Sequence, residues 1–485
     1  MRVAGTTNTQ VDPPVGQGGV APKISHAMIL TGTRLARGFG RTLFILVVAR
    51  VLGPRQFGVY ALLLATVEML AVASGTGYAD YLTREAAKNA RVGWGLGRQL
   101  TLLRLACSFP LAGAALGALW LLGYSRGVLA AAAWLSLSLA PRSMSEAVQG
   151  VLRGVGHYTA DLMVELTFDL SLVGGALFIL VRGAGLNGAI VTEVIAATAA
   201  AVTSIFFVLL LRTKERIGLN RKQLFQKSVI FNIYAFAGNL YDRLDVVLLS
   251  KLAGDHATGV YSAAYRPLGT LQLVPYGVLY SLLPALSRNA RGAEELRRLE
   301  RAMGFLLSAA FAVVLATMVF AAPAVRLLLG QSYAESAVAL KILIWAVILR
   351  YMNSALGVRL FSGGHERVFV ATTLGCLGVN VLGNLLLIPI YSWRAAAALT
   401  IVTEFALLAQ NIYWLRRTVG VIPKPFGWAR SSLVFAGLLI ASVAGARVAP
   451  LIIGSACVLF FVVYLYQTGM VREFAAAWRS GRSPA

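Results

Sequence analysis

The sequence predicts an all-α integral membrane protein of about 14 transmembrane helices, and three observations carry that reading. Of 485 residues, 58% are hydrophobic and 13% charged, where an ordinary soluble domain carries about 25% charged residues. That leaves too few polar side chains to cover a surface facing water, so lipid must be the outer solvent. The apolar residues also gather into runs of about 20, the length that spans a bilayer as helix. Finally, about six such runs form a unit that occurs twice along the chain.

The runs lie near 24–50, 57–79, 99–123, 127–149, 158–181, 186–211, 228–252, 258–286, 302–322, 336–361, 367–390, 394–415, 430–446 and 449–468. Gly, Pro or charge separates them. Each is expected to be helical, since only a helix satisfies its own backbone against lipid. Residues 1–23, with Gly, Pro, Thr and Gln but no apolar core, read as a flexible cytoplasmic tail rather than a cleaved signal. The expected organisation is a first lobe over 24–212, a basic cytoplasmic linker over 213–227 and a second lobe over 228–418. Two further spans over 428–468 and a cytoplasmic tail over 469–485 complete it.

The net charge of +24 fits nucleic acid or an anionic membrane surface. The cations punctuate apolar runs instead of covering one polar face, which excludes nucleic acid and leaves membrane lipids as the partner. They concentrate in alternate loops: Arg84, Lys88, Arg91 and Arg98; Arg212, Lys214, Arg216, Arg221, Lys222 and Lys227; Arg288, Arg291, Arg297, Arg298 and Arg301; Arg416, Arg417, Lys424 and Arg430. By the positive-inside rule both termini are then cytoplasmic. Ala- and Arg-rich usage reads as bacterial, so a multi-pass protein of the bacterial cytoplasmic membrane is expected. Cys107, Cys376 and Cys457 lie far apart in apolar runs and read as small buried hydrophobes.

The repeat is visible residue by residue. Arg50 to Tyr60 aligns with Lys251 to Tyr261 without a gap, placing Gly53 on Gly254 and Gly58 on Gly259. Gly156-His157 matches Gly364-His365, and Ile190 to Glu193 matches Ile401 to Glu404, all at an offset of about two hundred residues. Because each unit holds an even number of spans, both insert with the same orientation, related by a pseudo-two-fold axis along the membrane normal. Two such bundles facing each other across a central cavity are the build of an alternating-access transporter, the alternative being a duplication that serves packing alone.

Leu52, Gly53, Pro54, Phe57, Gly58 and Tyr60 after a first span, with Gly259-Val-Tyr-Ser-Ala-Ala-Tyr-Arg266 opening the second half, resemble the polysaccharide transporter family. These are the oligosaccharide and O-antigen flippases of the multidrug/oligosaccharidyl-lipid/polysaccharide exporter superfamily. The resemblance runs over spans one to twelve. It implies two six-helix lobes around a central cavity, two extra C-terminal helices, and a polyprenyl-diphosphate-linked oligosaccharide carried from the cytoplasmic to the outer leaflet. Polysaccharide polymerase and glycosyltransferases of the same exopolysaccharide or surface-glycan route are implied as partners. The arginine- and proline-rich signature of lipid II flippases after the second span is missing. The multidrug branch usually stops at twelve spans, which the last two runs here exceed.

Ionisable residues at bilayer depth are the candidate site, since each costs about 2.5–3.5 kcal/mol to insert and must face protein or water. Arg34, Arg37 and Arg41 fall within about a 60° arc of span one. Arg suits a diphosphate through its planar, always charged fork; partner carboxylates or headgroup depth are the alternatives. Asp161, Glu165 and Asp169 line one face of span five, either neutralising the arginines or holding a coupling proton or Na⁺. Asn239, Asp242, Arg243 and Asp245 lie in span seven, with Asp242 at the repeat position of Arg41, suggesting either opposite charge across the cavity in one state of the cycle or a local ion pair with Arg243. Arg266, Arg350 and Arg359 add cations to the second lobe, while Glu193 and Glu404, as repeat equivalents, read as structural. Glycines 32, 38 and 40 and prolines 275 and 284 are candidate places to bend.

No phosphate-loop motif is present, and the four histidines are scattered, so no ATP site, metal, cofactor or catalytic residue is expected. The leading expectation is a flippase and not an enzyme. The alternatives are a membrane polymerase or glycosyltransferase, which needs an external domain not seen here, or a drug/cation antiporter on the same fold.

Overall fold

In the computed structural model the described residues are 24–73, 77–211, 221–279, 293–362, 366–445 and 449–469, apart from the side chains of 24–39, 73, 77, 78, 80, 221–235, 361, 362, 366, 367, 369 and 370. Among them there is helix and no strand. The first lobe comprises α1 (Ile24–Ala73), α2 (Gly77–Lys88), α3 (Ala90–Leu121), α4 (Arg126–Ser136), α5 (Leu139–Val155), α6 (Tyr158–Arg182) and α7 (Gly185–Leu211). The second comprises α8 (Arg221–Leu271), α9 (Ala293–Leu328), α10 (Ala334–Leu343), α11 (Ala346–Ser362), α12 (Glu366–Tyr391) and α13 (Trp393–Thr418). A hairpin of α14 (Trp428–Gly445) and α15 (Pro450–Gln467) follows.

All fourteen apolar runs fall on helix as far as the described residues reach. Among those residues nine helices are long and apolar enough to cross a bilayer, and ten if the bent pair Gln331–Leu343 and Ala346–Leu360 counts as one span. The other runs are helix interrupted by a kink, as where α4 gives way to α5, or helix carrying charge.

Two breaks define the architecture. The first two predicted spans are one continuous helix, α1, apart from Gly53 at φ 69°, ψ 170°. The seventh and eighth are likewise α8, apart from Gly254 at φ 83°, ψ 177°. That backbone region is essentially closed to residues with a Cβ. Pro54 follows the first break at a helix start, where its missing N–H costs nothing. Asp255 follows the second, its carboxylate beside a helix N-terminus.

The same two segments meet. A Cβ added to Gly58 would overlap the carbonyl oxygen of Asp255, and a Cβ added to Gly259 would overlap that of Pro54. The contact is reciprocal, as a pseudo-two-fold axis between repeats demands. Around it Phe57, Tyr60 and Leu64 of one lobe join Val260, Tyr261 and Ala264 of the other in a single buried cluster. Bilayer helices associate through such close packing of small residues, since lipid offers no hydrophobic driving force. The final hairpin leans on α9, with the rings of Phe311 and Phe435 stacked at 4.4 Å and Val319 filling the notch at Gly454.

Gly58→Ala and Gly259→Ala should each cost about 1–3 kcal/mol through overpacking. The double variant should cost clearly less than the sum, because both act on one contact. Thermal unfolding of the purified protein in nanodiscs measures all three.

Candidate substrate site between the lobes

Arg41 precedes the break at Gly53, and Arg243 the break at Gly254, by a similar length of helix. At 1.5 Å per residue both lie about 17 Å along the helix from the break, about half the thickness of a hydrocarbon core. There α1 and α8 bring together charges from both lobes. Arg41 Nη2 donates to Glu68 Oε1 at 2.6 Å, and Arg243 Nε lies 2.8 Å from Glu68 Oε2. The second is a close ionic contact whose N–H is not directed along it, as neither atom gains a hydrogen bond from the other. Glu68, 12% exposed, therefore ties an arginine of its own lobe to one of the opposite lobe. Arg266, half-buried, is close enough for Arg243, Glu68 and Arg41 to bear on its charge. Among the described residues no carboxylate stands at ion-pair distance from it. Two guanidiniums thus share one carboxylate while a third, Arg266, stands close enough to feel their charge, and the group as a whole is cationic.

Behind this cluster each lobe holds a buried ion pair. In the first, Arg142 on α5 pairs with Glu193 on α7, and the Tyr60 hydroxyl donates to the same carboxylate at 2.8 Å. In the second, Arg350 on α11 donates to Glu404 on α13 at 2.8 Å and to the Tyr265 hydroxyl at 2.6 Å. It also reaches Asp242 at 3.2 Å. Asn353 donates to Glu404 at 2.9 Å. Arg142 and Arg350 are related by the offset that relates Gly156-His157 to Gly364-His365, so the Arg–Glu pair itself is repeated. A buried charge left single is strongly destabilising, which fixes these pairs as parts of each lobe's frame.

The predicted residues divide accordingly. Arg41 and Arg266 join the interlobe cluster, while Arg350 and Asp242 are bound to each other in the second lobe. In this conformation Asp242 pairs with Arg350 of its own lobe rather than with Arg41. Its neighbour Arg243 crosses instead, to Glu68. Asp245, 4% exposed, accepts from the Tyr261 hydroxyl and from the backbone N–H of Val246 at 2.8 Å. The Tyr261 hydroxyl also lies 3.2 Å from Thr400 Oγ1. Asp161, Glu165 and Asp169 are all buried on α6, which packs along α1. A Cβ on Gly40 would come within 2.9 Å of the Asp169 side chain, and Glu165 accepts from Gln149 at 2.9 Å. Arg34 and Arg37 belong to the stretch whose side chains lie outside the described residues.

Two site residues escaped the sequence reading, Glu68 and Arg142. Both carried a signal: Glu68 is the single carboxylate in the run 57–79, and Arg142 stands at the repeat position of Arg350. Among the described residues no group of His, Cys, Asp and Glu suits a metal ion.

Glu68→Gln and Arg243→Gln should each lower thermal stability. The double variant should recover part of the loss, with a coupling of about 0.5–3 kcal/mol across the lobes.

A profile for a family described as polysaccharide biosynthesis protein matches residues 26–290, more than half of the chain. No curated protein matches. Among solved structures the chain is similar to the lipid II flippase MurJ in an inward closed conformation, with TM-score 0.67, 11% identity and 92% of this chain and 99% of that one covered. It is also similar to a multidrug resistance MATE family transporter of the MOP superfamily in an inward-facing conformation, with TM-score 0.63, 16% identity and 82% and 97% covered. A third is a MOP superfamily transporter from Pyrococcus furiosus, described by the reverse polarity of its binding pocket, with TM-score 0.59, 16% identity and 81% and 96% covered. At these identities the likeness establishes the fold.

Proposed function

The chain belongs to the polysaccharide biosynthesis protein family, and from that premise we propose that it is a flippase for polyprenyl-diphosphate-linked oligosaccharide. It carries repeat units from the cytoplasmic to the outer leaflet by alternating access of its two lobes, 24–212 and 228–418, joined by the linker 213–227. The observation that supports this reading best is the shared cationic cluster of Arg41, Arg243 and Arg266 around Glu68. A diphosphate diester carries two negative charges, and guanidiniums bind its oxygens in a fork that holds at any working pH. Its place between the lobes at mid-depth lets one anion contact both, which is what coupling binding to lobe movement requires.

Within this reading Arg34 and Arg37 are further phosphate-binding cations on the cytoplasmic side of Arg41. Arg350 closes the second lobe's side. Asp161, Glu165, Asp169, Asp242 and Asp245 are ion-pair or ion-coupling groups. The protein sits in the bacterial cytoplasmic membrane with both termini cytoplasmic, hands its cargo to a polysaccharide polymerase, and receives it from glycosyltransferases. It moves the cargo without altering it. A cationic drug as cargo would be repelled by the same arginines.

The test is a deletion strain complemented with the wild-type gene or with Arg41→Gln or Arg266→Gln, followed by the sidedness of lipid-linked glycan. The expected result is intact repeat units held on the cytoplasmic leaflet in the deletion strain and in both variants, despite normal membrane insertion. Repeat units that reach the outer face and only fail to polymerise would assign the protein to the polymerase step instead.

A further inference from the structure

At the ends of the lobes where α1 and α8 break, each lobe reaches into the other. Arg50 donates from Nη1 to the carbonyl oxygens of Leu327, at 2.6 Å, and Leu328, at 3.3 Å. These carbonyls end α9, the third span of the second lobe, where the helix has no partner of its own to offer them. Lys251, the repeat equivalent of Arg50, donates from Nζ to the carbonyl of Leu122, which caps α3, the third span of the first lobe. Two tyrosines complete the exchange. The Tyr333 hydroxyl donates to the carbonyl of Ala49 at 2.7 Å, and the Tyr124 hydroxyl to Ser250 Oγ at 3.1 Å. Ala49 and Ser250 are themselves repeat equivalents. Gly123 and Gly330, both at positive φ, end the two third spans alike.

Each lobe thus sends a cation into the negative C-terminus of the other lobe's third helix, and each receives a tyrosine hydroxyl in return. None of these bonds survives if the lobes part at this end. The side chains of Arg50 and Lys251 are exposed, so parting releases them to water rather than stranding a buried charge. That contrasts with Arg142–Glu193 and Arg350–Glu404, which stay within one lobe.

We propose that Arg50 and Lys251 are positioning residues of the outer gate. They hold the lobes closed on the extracytoplasmic side through this reciprocal pair of cation-to-helix bonds, and both bonds break together when cargo leaves. The proposal rests on the flippase reading and on the orientation given by the loop charges.

The test starts from the full chain with Cys107, Cys376 and Cys457 replaced by Ser, expressed in the deletion strain. Tyr124→Cys and Ser250→Cys, whose side chains meet across the lobes at 3.1 Å, are added and joined from outside the cell with a short, membrane-impermeant, disulfide-forming bifunctional reagent. Delivery of lipid-linked glycan to the outer leaflet should be lost on joining and restored on reduction. Delivery that continues in the joined protein overturns the gate. Failure of the wild-type protein to deliver at all overturns the flippase reading instead. A second measurement uses Arg50→Gln with Lys251→Gln and a reporter, Ala49→Cys, at a position 1% exposed. Labelling by an impermeant maleimide should be faster in the double variant than with both cations present. An unchanged rate means the cations do not hold this end closed.

Discussion

Everything in this molecule hangs on the approach of two backbones at Gly58 and Gly259. The carbonyls of Pro54 and Asp255 occupy the space where each glycine's Cβ would stand, so no other residue permits the crossing without moving a lobe. Because the glycines belong to corresponding positions of a repeat, the crossing fixes a pseudo-two-fold axis. Because Gly53 and Gly254 precede them by the same step, both broken helices enter the crossing with the same geometry. Arg41 and Arg243 then arrive at one depth, on opposite lobes, close enough to share Glu68.

Charge is distributed in two ways around that axis. Within each lobe it is matched: Arg142 with Glu193, and Arg350 with Glu404 and Asp242. The buried pairs Arg142–Glu193 and Arg350–Glu404 are costly to separate in a low-dielectric interior, so each ties together the helices of its own lobe. Between the lobes Arg41 and Arg243 share the one carboxylate of Glu68 with Arg266 nearby, so cations outnumber anions in this cluster. The contacts that join the lobes at the broken ends are made by exposed cations to helix carbonyls, which water can replace. A frame that resists change and an interface that permits it is the division alternating access needs.

The sequence made the spans, the repeat and the glycine register legible, because each depends on residue type and spacing alone. The site was legible by depth more than by partner. Arg41 and Arg266 are arginines in apolar helix, and that placed them in the interior. Which carboxylate meets which arginine depends on how helices distant in sequence are rotated and crossed, which spacing does not encode. Asp242 shows this well. Its repeat position pointed across the lobes, yet Arg350 holds it in its own lobe while the adjacent Arg243 crosses. A turn of one residue on a helix changes the face by about 100°, enough to exchange those roles. Glu68 and Arg142 were readable in principle, the first as a lone carboxylate in an apolar run, the second through the repeat.

The central claim is that arginines of both lobes together bind the diphosphate of a lipid carrier. Its most direct test is binding of a polyprenyl diphosphate and a polyprenyl monophosphate to the purified protein in nanodiscs, compared with Arg41→Gln in the first lobe and Arg266→Gln in the second. Preference for the diphosphate, lost in either variant alone, is the predicted result. Equal binding of the two lipids, unchanged by both substitutions, would contradict it.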